Sequence, residues 1–298
     1  MMVTLPNVAV LLAAYQGIRW IAEQVDSILL QRNVSVTLFI SVDACSESGI
    51  EDGTLAWCQN LANTHENVHL LPYGERFGGA GANFFRLLTD VDFSKFDAIS
   101  LADQDDIWLD TKLEHACQCI RDGLCLVYSS NVMAFWPDGR RQLVKKSYPQ
   151  RRYDHFFEAA GPGCTYVLDQ SVAQPLQRFL RERREHLNKV ALHDWLIYAY
   201  CRQQGIAWFI DEQSTLHYRQ HAANQVGVNE GISAYKKRLK QVASKYYRGQ
   251  IEEICALVAP ELTPKLQSFG FRLSNALQCR RRPRDRFALL VMFLLCIY

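Results

Sequence analysis

The chain has 298 residues, of which 49% are hydrophobic and 21% charged, so it can bury a sizeable core and is not globally disordered. Its ten cysteines are scattered without a Cys-x-x-Cys pair, and the N-terminus carries no secretory signal, which predicts free thiols in a reducing cytosol. The net charge of +2 hides an asymmetry, because residues 231–298 carry 13 Lys/Arg and 4 Asp/Glu whereas residues 1–230 carry 20 and 27. An acidic body with a basic tail predicts that the tail meets an anionic surface.

The first half of the chain alternates apolar runs with helical stripes. Residues 8–14 form a continuous apolar run, which is typical of a strand buried on both faces of a parallel sheet. The next stretch, to residue 31, has apolar side chains at helical spacing. The alternation continues through a predicted strand at 36–42, a helix at 54–62, a strand at 68–71, a helix around 83–88 and a strand ending near 102. This order predicts a doubly wound, mostly parallel α/β sheet, whose ligands collect at the carboxyl ends of the strands.

An acidic cluster follows the last of these strands. Asp103, Asp105 and Asp106 fall within four positions, directly after apolar residues. Like charges this close are unfavourable unless a cation lies among them, and hard divalent cations prefer carboxylate oxygens. Asp103 and Asp105 have the spacing that can hold a metal ion and a nucleotide ribose together. A solvated acidic turn or a helix cap is the alternative interpretation.

Two other polar residues also follow predicted strands. Tyr15 and Asp43 should therefore meet Asp103 in one crevice, although a surface aromatic and an ordinary turn residue are the alternatives for them. The glycine-rich loop at residues 74–81 lacks the G-x-G-x-x-G order and has no Walker lysine, which excludes a dinucleotide fingerprint and a P-loop. We therefore predict a shared nucleotide site of another kind.

The second half of the chain is less regular, with predicted strands at 126–130, 166–168 and 207–210. Asp194 opens an aromatic, apolar helix, where it could cap the helix or act as a general base. Arg219 and His221 lie two apart in a predicted loop, an arrangement that suits diphosphate pairing or metal ligation. A Gly/Pro loop at 161–165 indicates either close approach of a ligand or a tight turn.

From residue 231 the chain changes character. Residues 232–258 are basic and helix-prone, and five arginines between 280 and 286 precede an apolar run at 287–298. This run is shorter than the roughly 20 residues of a spanning helix, which favours an interfacial helix with arginines on anionic head groups. A truncated membrane segment and a buried dimer helix remain as alternatives. We divide the chain into a catalytic domain at 1–230 and a basic helical extension at 231–298.

Taken together, these stretches resemble the family 2 glycosyltransferases of the GT-A fold, in particular bacterial polysaccharide and O-antigen transferases such as rhamnosyltransferases. The resemblance covers about residues 8–230. It rests on motifs at residues 13–17 (AAYQG), 41–43 (SVD), 76–84 (RFGGAGANF), 103–108 (DQDDIW), 193–195 (HDW) and 218–224 (YRQHAAN). The chain departs from the family at Ala44 and Cys45, where many relatives have a second Asp and a Gly, and at His193, where many have Glu.

The resemblance implies an inverting, metal-dependent transfer of a sugar from a nucleotide diphosphate to a saccharide acceptor in O-antigen or capsule synthesis, rhamnosyl transfer included. Asp194 would be the catalytic base, and Asp105 and His221 would bind Mg²⁺ or Mn²⁺. The residues implied to bind the nucleotide sugar are Ala13, Tyr15, Asp43, Arg76, Gly79, Asn83, Asp103, Gln104 and Arg219.

The implied partners are a dTDP- or UDP-sugar, a lipid-linked or polysaccharide acceptor and an anionic membrane surface, with no nucleic acid. We accordingly expect a cytoplasmic protein at the inner face of the cytoplasmic membrane. A nucleotidyltransferase acting on sugar phosphates remains an alternative, but it should carry a basic loop after the first strand, and residues 13–17 have none. The other alternative is a non-catalytic membrane-bound scaffold, which would not need both Asp105 and Asp194.

Overall fold

A computed structural model describes residues 4–46, 49–221 and 246–297. In this part of the chain one sheet has the strands β1 (Asn7–Ala14), β2 (Ser35–Val42), β3 (Val68–Leu70), β4 (Ala98–Asp103), β5 (Ile107–Trp108), β6 (Val127–Phe135), β7 (Arg141–Val144), β8 (Val167–Asp169) and β9 (Trp208–Arg219). The helices of the body are α1 (Ile21–Leu29), α2 (Thr54–Thr64), α3 (Ala80–Asp90), α4 (Lys112–Arg121), α5 (Gln170–Glu182), α6 (Arg184–Leu187) and α7 (His193–Gln203). The later helices are α8 (Tyr246–Val258), α9 (Thr263–Gln267), α10 (Phe269–Asn275) and α11 (Pro283–Leu294).

Helices cover both faces of the sheet, as the burial of β1 shows. Every residue of β1 after Asn7 is buried, as its continuous apolar run predicts. Successive side chains of a strand point to opposite faces, so Ala9 and Leu11 join a core with residues of α3, α5 and α7. Val10 and Leu12 join a second core with residues of α1 and α4. The predicted doubly wound α/β fold is confirmed.

The strand order is β3-β2-β1-β4-β8-β6-β9-β5, with β7 paired to β6. β1 to β4 are parallel to their neighbours within this group, while β8 runs antiparallel between β4 and β6. The chain passes from β1 to β2 and β3 on one side and returns to β4 on the other. The carboxyl ends of β1 and β4 are the usual ligand site of such sheets, and we call this region the crevice.

β6 and β9 are longer than the apolar runs at 126–130 and 207–210 predict. They pair in parallel from Val127 and Trp208 to Phe135 and Arg219, with register shifts after Ser130 and Asn131. The centre of β9 is polar, because its residues hydrogen-bond across an irregular ladder. A search for apolar runs therefore detects only the first part of this strand. Arg219 thus ends a strand instead of lying in a loop. Residues 222–227 of the predicted loop lie outside the described residues.

The described part of the C-terminal extension packs on the body. Ile251 and Ile254 of α8, and Leu289 and Phe293 of α11, belong to the same hydrophobic core as β1 and α7. Arg281 is 2% exposed and forms ion pairs with the buried Asp154 and the half-buried Glu158 of the body. The tail from residue 246 therefore shares its core with the body, while residues 231–245 lie outside the described ranges.

Among the helices at 4–46, 49–221 and 246–297, none combines the length and the apolar character that crossing a bilayer requires.

Candidate active site

Asp43 follows β2 and uses its carboxylate to fix the loop that precedes α3. Oδ1 accepts the N–H of Phe77 at 2.6 Å, and Oδ2 accepts the N–H groups of Gly78 and Gly79 at 2.9 and 3.2 Å. Gly78 has a φ of +77°, a conformation that favours glycine. Three N–H donors satisfy a carboxylate well, and Asp43 and Gly79, both predicted to bind nucleotide, are hydrogen-bonded to each other. Arg76, in the same loop, is exposed.

Asn83 was also predicted to contact the donor, but it is 1% exposed and bridges two strand ends. Its Oδ1 accepts the Ser41 hydroxyl at 2.5 Å, while Nδ2 donates to the carbonyls of Ser41 and Ala14 at 2.9 and 3.4 Å. A buried amide must be hydrogen-bonded, and these bonds use both of its ends. Asn83 therefore holds the ends of β1 and β2 together. Ala13 is 8% exposed and lies in register with Ser41 and Asp103 on either side.

Gln104 fixes the turn after β1. Its Oε1 accepts the N–H of Tyr15 and its Nε2 donates to the carbonyl of Tyr15, both at 2.8 Å. A Cβ atom at Gly17 would lie 2.1 Å from Oε1, so this turn needs glycine beside Gln104. The amide of Gln104 thus binds the backbone of Tyr15, and its contact with the nucleotide stays a prediction. The ring of Tyr15 remains 42% exposed.

The acidic turn concentrates negative charge in a buried place. Asp106 is fully buried, and its Oδ1 accepts the N–H of Arg219 at 3.2 Å while its Oδ2 forms no hydrogen bond in the described part of the chain. Potential ligand atoms of Asp103, Asp106 and Cys164 lie within 4.8 Å of one another. Removal from water, together with the charges of Asp105 and Asp194, raises the pKa of Asp103 to about 7. Burial raises the pKa of Asp106 well above its usual range, with the charges of Asp105 and Asp103 adding to the effect.

The two predicted metal ligands lie side by side. Oδ2 of Asp105 is 2.7 Å from Nε2 of His221, whose ring stacks on Trp20 at a centroid distance of 4.0 Å. A carboxylate and an imidazole, beside an unpartnered buried carboxylate oxygen, fit a divalent cation such as Mg²⁺ or Mn²⁺. The chemistry of the residues present is therefore compatible with the predicted ion.

Arg219 fixes the acidic turn from the end of β9. Its Nε donates to the carbonyl of Asp105 at 2.8 Å, and its guanidinium pairs with Glu23 at 2.5 Å. Its side chain also lies over the ring of Phe135 at 4.6 Å. These contacts give Arg219 a structural role at the rim of the crevice in addition to the predicted contact with the diphosphate.

Asp194 lies in the first turn of α7, and Leu192 occupies the N-cap without a side-chain bond. The carboxylate accepts the adjacent N–H of Trp195 at 2.8 Å. Burial raises the pKa of Asp194 to about 6, although the Trp195 N–H and the charge of Lys146 lower it. The charge of Asp194 also raises the pKa of Asp103, as expected for two carboxylates that lie near each other. A carboxylate with this pKa can accept a proton near neutral pH.

His193, where relatives often carry Glu, is enclosed by apolar and backbone groups. Its ring stacks on Phe84 at 4.0 Å, and a Cβ atom at Gly163 would lie 2.4 Å from its Nε2. Burial lowers the pKa of His193 to about 3, so the ring is neutral. His193 therefore packs the start of α7 instead of adding charge to the site.

No sequence motif singles out two lysines, the buried Lys112 and the half-buried Lys146. Lys112 is 0% exposed; its Nζ donates to the Ser100 hydroxyl at 3.1 Å and lies 3.5 Å from the centroid of the Trp108 ring. Burial lowers the pKa of Lys112 to about 7, opposed by charges that include Asp106. Its position just after the acidic motif is the signal that could have found it. The second is Lys146, which no motif marks.

A doubly wound sheet that carries an acidic turn, with a separate carboxylate of raised pKa near it, is the arrangement of a GT-A glycosyltransferase. Residues 6–135 match the family described as "Glycosyltransferase like family 2". The dTDP-rhamnosyl transferase RfbG of Shigella flexneri is 37% identical over 294 residues, which cover 96% of this chain and 100% of that protein. The chain belongs to the family 2 glycosyltransferases.

Solved structures agree on the fold. S. aureus TarS 1-349 in complex with UDP-GlcNAc superposes with a TM-score of 0.54 at 11% identity, covering 97% of this chain and 87% of that one. The mannosyltransferase PcManGT from Pyrobaculum calidifontis, in complex with GDP-Man and Mn²⁺, gives 0.50 at 15% identity, with coverage of 99% and 81%. The predicted family, GT-A fold and glycosyltransferase activity are confirmed, against the alternatives of a nucleotidyltransferase and a scaffold.

Proposed function

We propose that this glycosyltransferase moves rhamnose from dTDP-rhamnose to a saccharide acceptor of a bacterial surface polysaccharide, with inversion at the anomeric carbon. The proposed donor follows the name of the RfbG relative, which is 37% identical to this chain. The observation that carries the proposed reaction is the position of two carboxylates, Asp103 at the end of β4 and Asp194 in the first turn of α7, with the charge of Asp194 raising the pKa of Asp103. A donor at the acidic turn and an acceptor at Asp194 would then be close enough for direct displacement.

In this reaction the Asp194 carboxylate takes the proton of the acceptor hydroxyl. The acceptor oxygen forms a bond to the anomeric carbon on the face opposite the diphosphate, and the bond from that carbon to the diphosphate oxygen breaks. The nucleoside diphosphate leaves with the bonding electron pair. One displacement of this kind inverts the anomeric configuration.

On the donor side, Asp105 and His221 are the residues to hold Mg²⁺ or Mn²⁺, and the bound ion would neutralise the negative charge of the leaving diphosphate. Asp103 is suited to the ribose hydroxyls, the exposed Tyr15 ring to the base and the exposed Arg76 guanidinium to phosphate. Gln104, Asn83 and Asp43 support these residues through the backbone bonds described above.

The test compares donors with the purified protein and a saccharide acceptor. dTDP-rhamnose should release dTDP faster than UDP-glucose or UDP-GlcNAc releases UDP, chelation by EDTA should stop the release, and Mn²⁺ or Mg²⁺ should restore it. NMR of the product should show the anomeric configuration opposite to that of the donor. Equal use of all three donors would refute the assigned donor, whereas retention of configuration would refute the single displacement.

We also propose that α11 docks the enzyme on an anionic membrane, where a lipid-linked acceptor would be found. One face of α11 is buried through Leu289 and Phe293, while the opposite face exposes Phe287 (66%), Leu294 (55%) and Leu295 (63%). Arg282 and Arg284, at the start of the same helix, are exposed. An apolar stripe bordered by arginines suits the boundary between head groups and acyl chains, where each basic residue contributes about 1 kcal/mol.

Surface substitutions test this docking better than a deletion, because Arg281 and Phe293 are built into the core. Phe287→Glu with Leu294→Glu should release the protein from phosphatidylserine-containing vesicles in a sedimentation assay, and salt should weaken binding of the wild type. Leu30→Glu, at a residue 71% exposed after α1, is the matched control and should still pellet. If the double variant pellets as well as the control, α11 is not the docking surface.

A further inference from the structure

Two glycines lie where the start of α7 meets the rest of the protein. A Cβ atom at Gly81 of α3 would lie 2.4 Å from the carbonyl oxygen of Ala191, and one at Gly163 would lie 2.4 Å from Nε2 of His193. Cβ atoms essentially never come closer than 3.0 Å to such neighbours, so neither position has room for a methyl group. Neither glycine has the left-handed φ that favours glycine. The close approach of α7 is therefore the reason for glycine at both positions.

Both glycines belong to loops that the sequence marks. Gly81 is the last residue of the glycine-rich loop at 74–81, and Gly163 lies in the Gly/Pro loop at 161–165. Glycine is common where a ligand or another part of the protein must come close to the backbone. At these two positions the group that comes close is the start of α7 and the residues just before it.

The segment that leads into α7 is also held by side chains. Gln250 of α8 accepts the N–H of Ala191 at 2.8 Å and donates to the carbonyl of Lys189 at 2.9 Å. The His193 ring stacks on Phe84 of α3 at a centroid distance of 4.0 Å. Because both of these rings are buried, His193 has little room to turn away from a methyl group added to the Gly/Pro loop.

The backbone on either side of the Asp194 side chain is anchored as well. The carbonyl oxygen of Asp194 lies 3.4 Å from the hydroxyl of the buried Tyr166, which follows the Gly/Pro loop. The indole N–H of Trp195 donates to the carbonyl of His155 at 3.0 Å. The Asp194 carboxylate accepts the backbone N–H of Trp195 at 2.8 Å. The position of the carboxylate therefore follows the position of this first turn of α7.

We propose that Gly81 and Gly163 are positioning residues for the reaction, because their lack of side chains sets where the first turn of α7 and its Asp194 carboxylate lie. This inference rests on the proposed role of Asp194 as the base. A base must lie within about 2.6–3.2 Å of the group whose proton it accepts. Ordinary contact of a Cβ atom begins at 3.4 Å, so a methyl group placed at 2.4 Å requires a shift of about 1 Å. A misplacement of about 1 Å can reduce a rate about 100-fold.

The test measures transfer and donor affinity in Gly163→Ala and Gly81→Ala. Gly163→Ala is the primary variant, because its obstacle is a side chain, whereas the obstacle at Gly81 is a backbone carbonyl and yields less easily. In Gly163→Ala we expect kcat to fall on the order of 100-fold. Calorimetry should show unchanged affinity for dTDP with Mn²⁺, since these ligands are assigned to the acidic turn. Gly81→Ala should also lower kcat.

Gly249→Ala is the matched control. Gly249 lies inside α8, as Gly81 lies inside α3, so both substitutions add the same helix propensity. A Cβ atom at Gly249 would have no contact within 4 Å outside its own helix in the part of the chain that the structure describes. This variant should keep the wild-type kcat. Wild-type kcat in both Gly163→Ala and Gly81→Ala would overturn the proposal.

A double-mutant comparison separates positioning from a general loss of structure. In the Asp194→Asn background, Gly163→Ala should cause no further loss of kcat, because the carboxylate that it displaces is already absent. A general loss of structure would instead lower kcat by the same factor in both backgrounds. That result would overturn the proposal.

Amide hydrogen exchange tests the positioning without the reaction. Peptides that cover residues 190–200 should exchange faster in Gly163→Ala than in the wild type, and at the wild-type rate in Gly249→Ala. Wild-type exchange of this segment in both Gly163→Ala and Gly81→Ala would contradict the proposal. A wild-type enzyme without transfer would refute the proposed function, while the exchange rates would still decide whether the two glycines position α7.

Discussion

On the wall of the crevice formed by the ends of β1, β2 and β4, Asp43 accepts three backbone N–H groups and Asn83 forms three hydrogen bonds within the protein. At the start of α7, by contrast, Asp194 accepts a single N–H from its neighbour. We call these the strand wall and the helix wall. Polar groups of the strand wall are satisfied by the protein, whereas the Asp194 carboxylate of the helix wall accepts one N–H and is the group that we propose takes the proton. A position after a strand therefore does not by itself make a residue part of the chemistry.

The acidic turn lies on the strand wall but behaves differently from the rest of it. Oδ2 of Asp106 has no hydrogen bond within the described ranges, and the pKa of Asp103 is raised to about 7. The neighbouring polar side chains of the same wall already form hydrogen bonds within the protein. The contrast indicates that the protein builds a rigid frame from Asp43, Asn83 and Gln104, and leaves the acidic turn to be completed by a ligand.

The largest effect is expected on the helix wall. Asp194→Asn should reduce turnover by roughly 10²–10⁴-fold, the range for loss of acid–base catalysis. The melting temperature should stay near that of the wild type, because the amide oxygen can still accept the Trp195 N–H. Steady-state transfer and a thermal melt on the same preparation check this. Near-normal turnover would remove Asp194 from the mechanism, and a large loss of stability would assign it a structural role.

On the strand wall, stability should fall instead. Asp43→Ala leaves three partly buried N–H groups without their acceptor and should lower the free energy of unfolding by about 1.5–3 kcal/mol, the value of hydrogen bonds to a charged group. Turnover per folded molecule should change much less than in Asp194→Asn. Urea unfolding gives the free energy, and transfer rates corrected for the folded fraction give the activity. Unchanged stability with lost activity would indicate instead that Asp43 binds the ligand.

The pH dependence of transfer should show a smaller effect, which also distinguishes the helix wall from the strand wall. The pKa of Asp194 is raised to about 6, and the base must be ionised, so transfer should fall as pH falls through about 6. Below that value the rate should drop about tenfold per pH unit, as expected for protonation of one essential base. Measurements of transfer from pH 5 to 8 check this, with melting temperatures across the range as the control. A flat profile between pH 5 and 7 would contradict the role of Asp194.

Much of this arrangement could be predicted from local sequence. The apolar run of β1 indicates burial on both faces, and Asp103 at the end of β4, with Asp105 just after it, indicates a charged turn at the carboxyl edge of the sheet. Such signals depend only on residues that are close in sequence, so they can be recognised from the sequence alone. The same holds for Asp194, which the start of an aromatic helix marks.

Other roles depend on partners that are distant in sequence. Gln104 binds the backbone of Tyr15, 89 residues away, and Asp43 binds N–H groups 34 to 36 residues away. Arg281 enters the core beside Asp154, 127 residues earlier. No local pattern distinguishes a carboxylate that will meet N–H donors from one that will meet a ligand. For the same reason neither Lys112 nor Lys146 could be recognised before the fold was known.

The central claim is that donor binding belongs to the acidic turn and proton transfer to Asp194. Calorimetric titration of dTDP with and without Mn²⁺ into Asp105→Asn and Asp194→Asn tests this claim most directly. We predict that Asp105→Asn, while still folded, loses most of the Mn²⁺-dependent affinity, whereas Asp194→Asn binds dTDP and Mn²⁺ as the wild type does. Wild-type binding by Asp105→Asn, or an equal loss in both variants, would contradict the separation of the two roles.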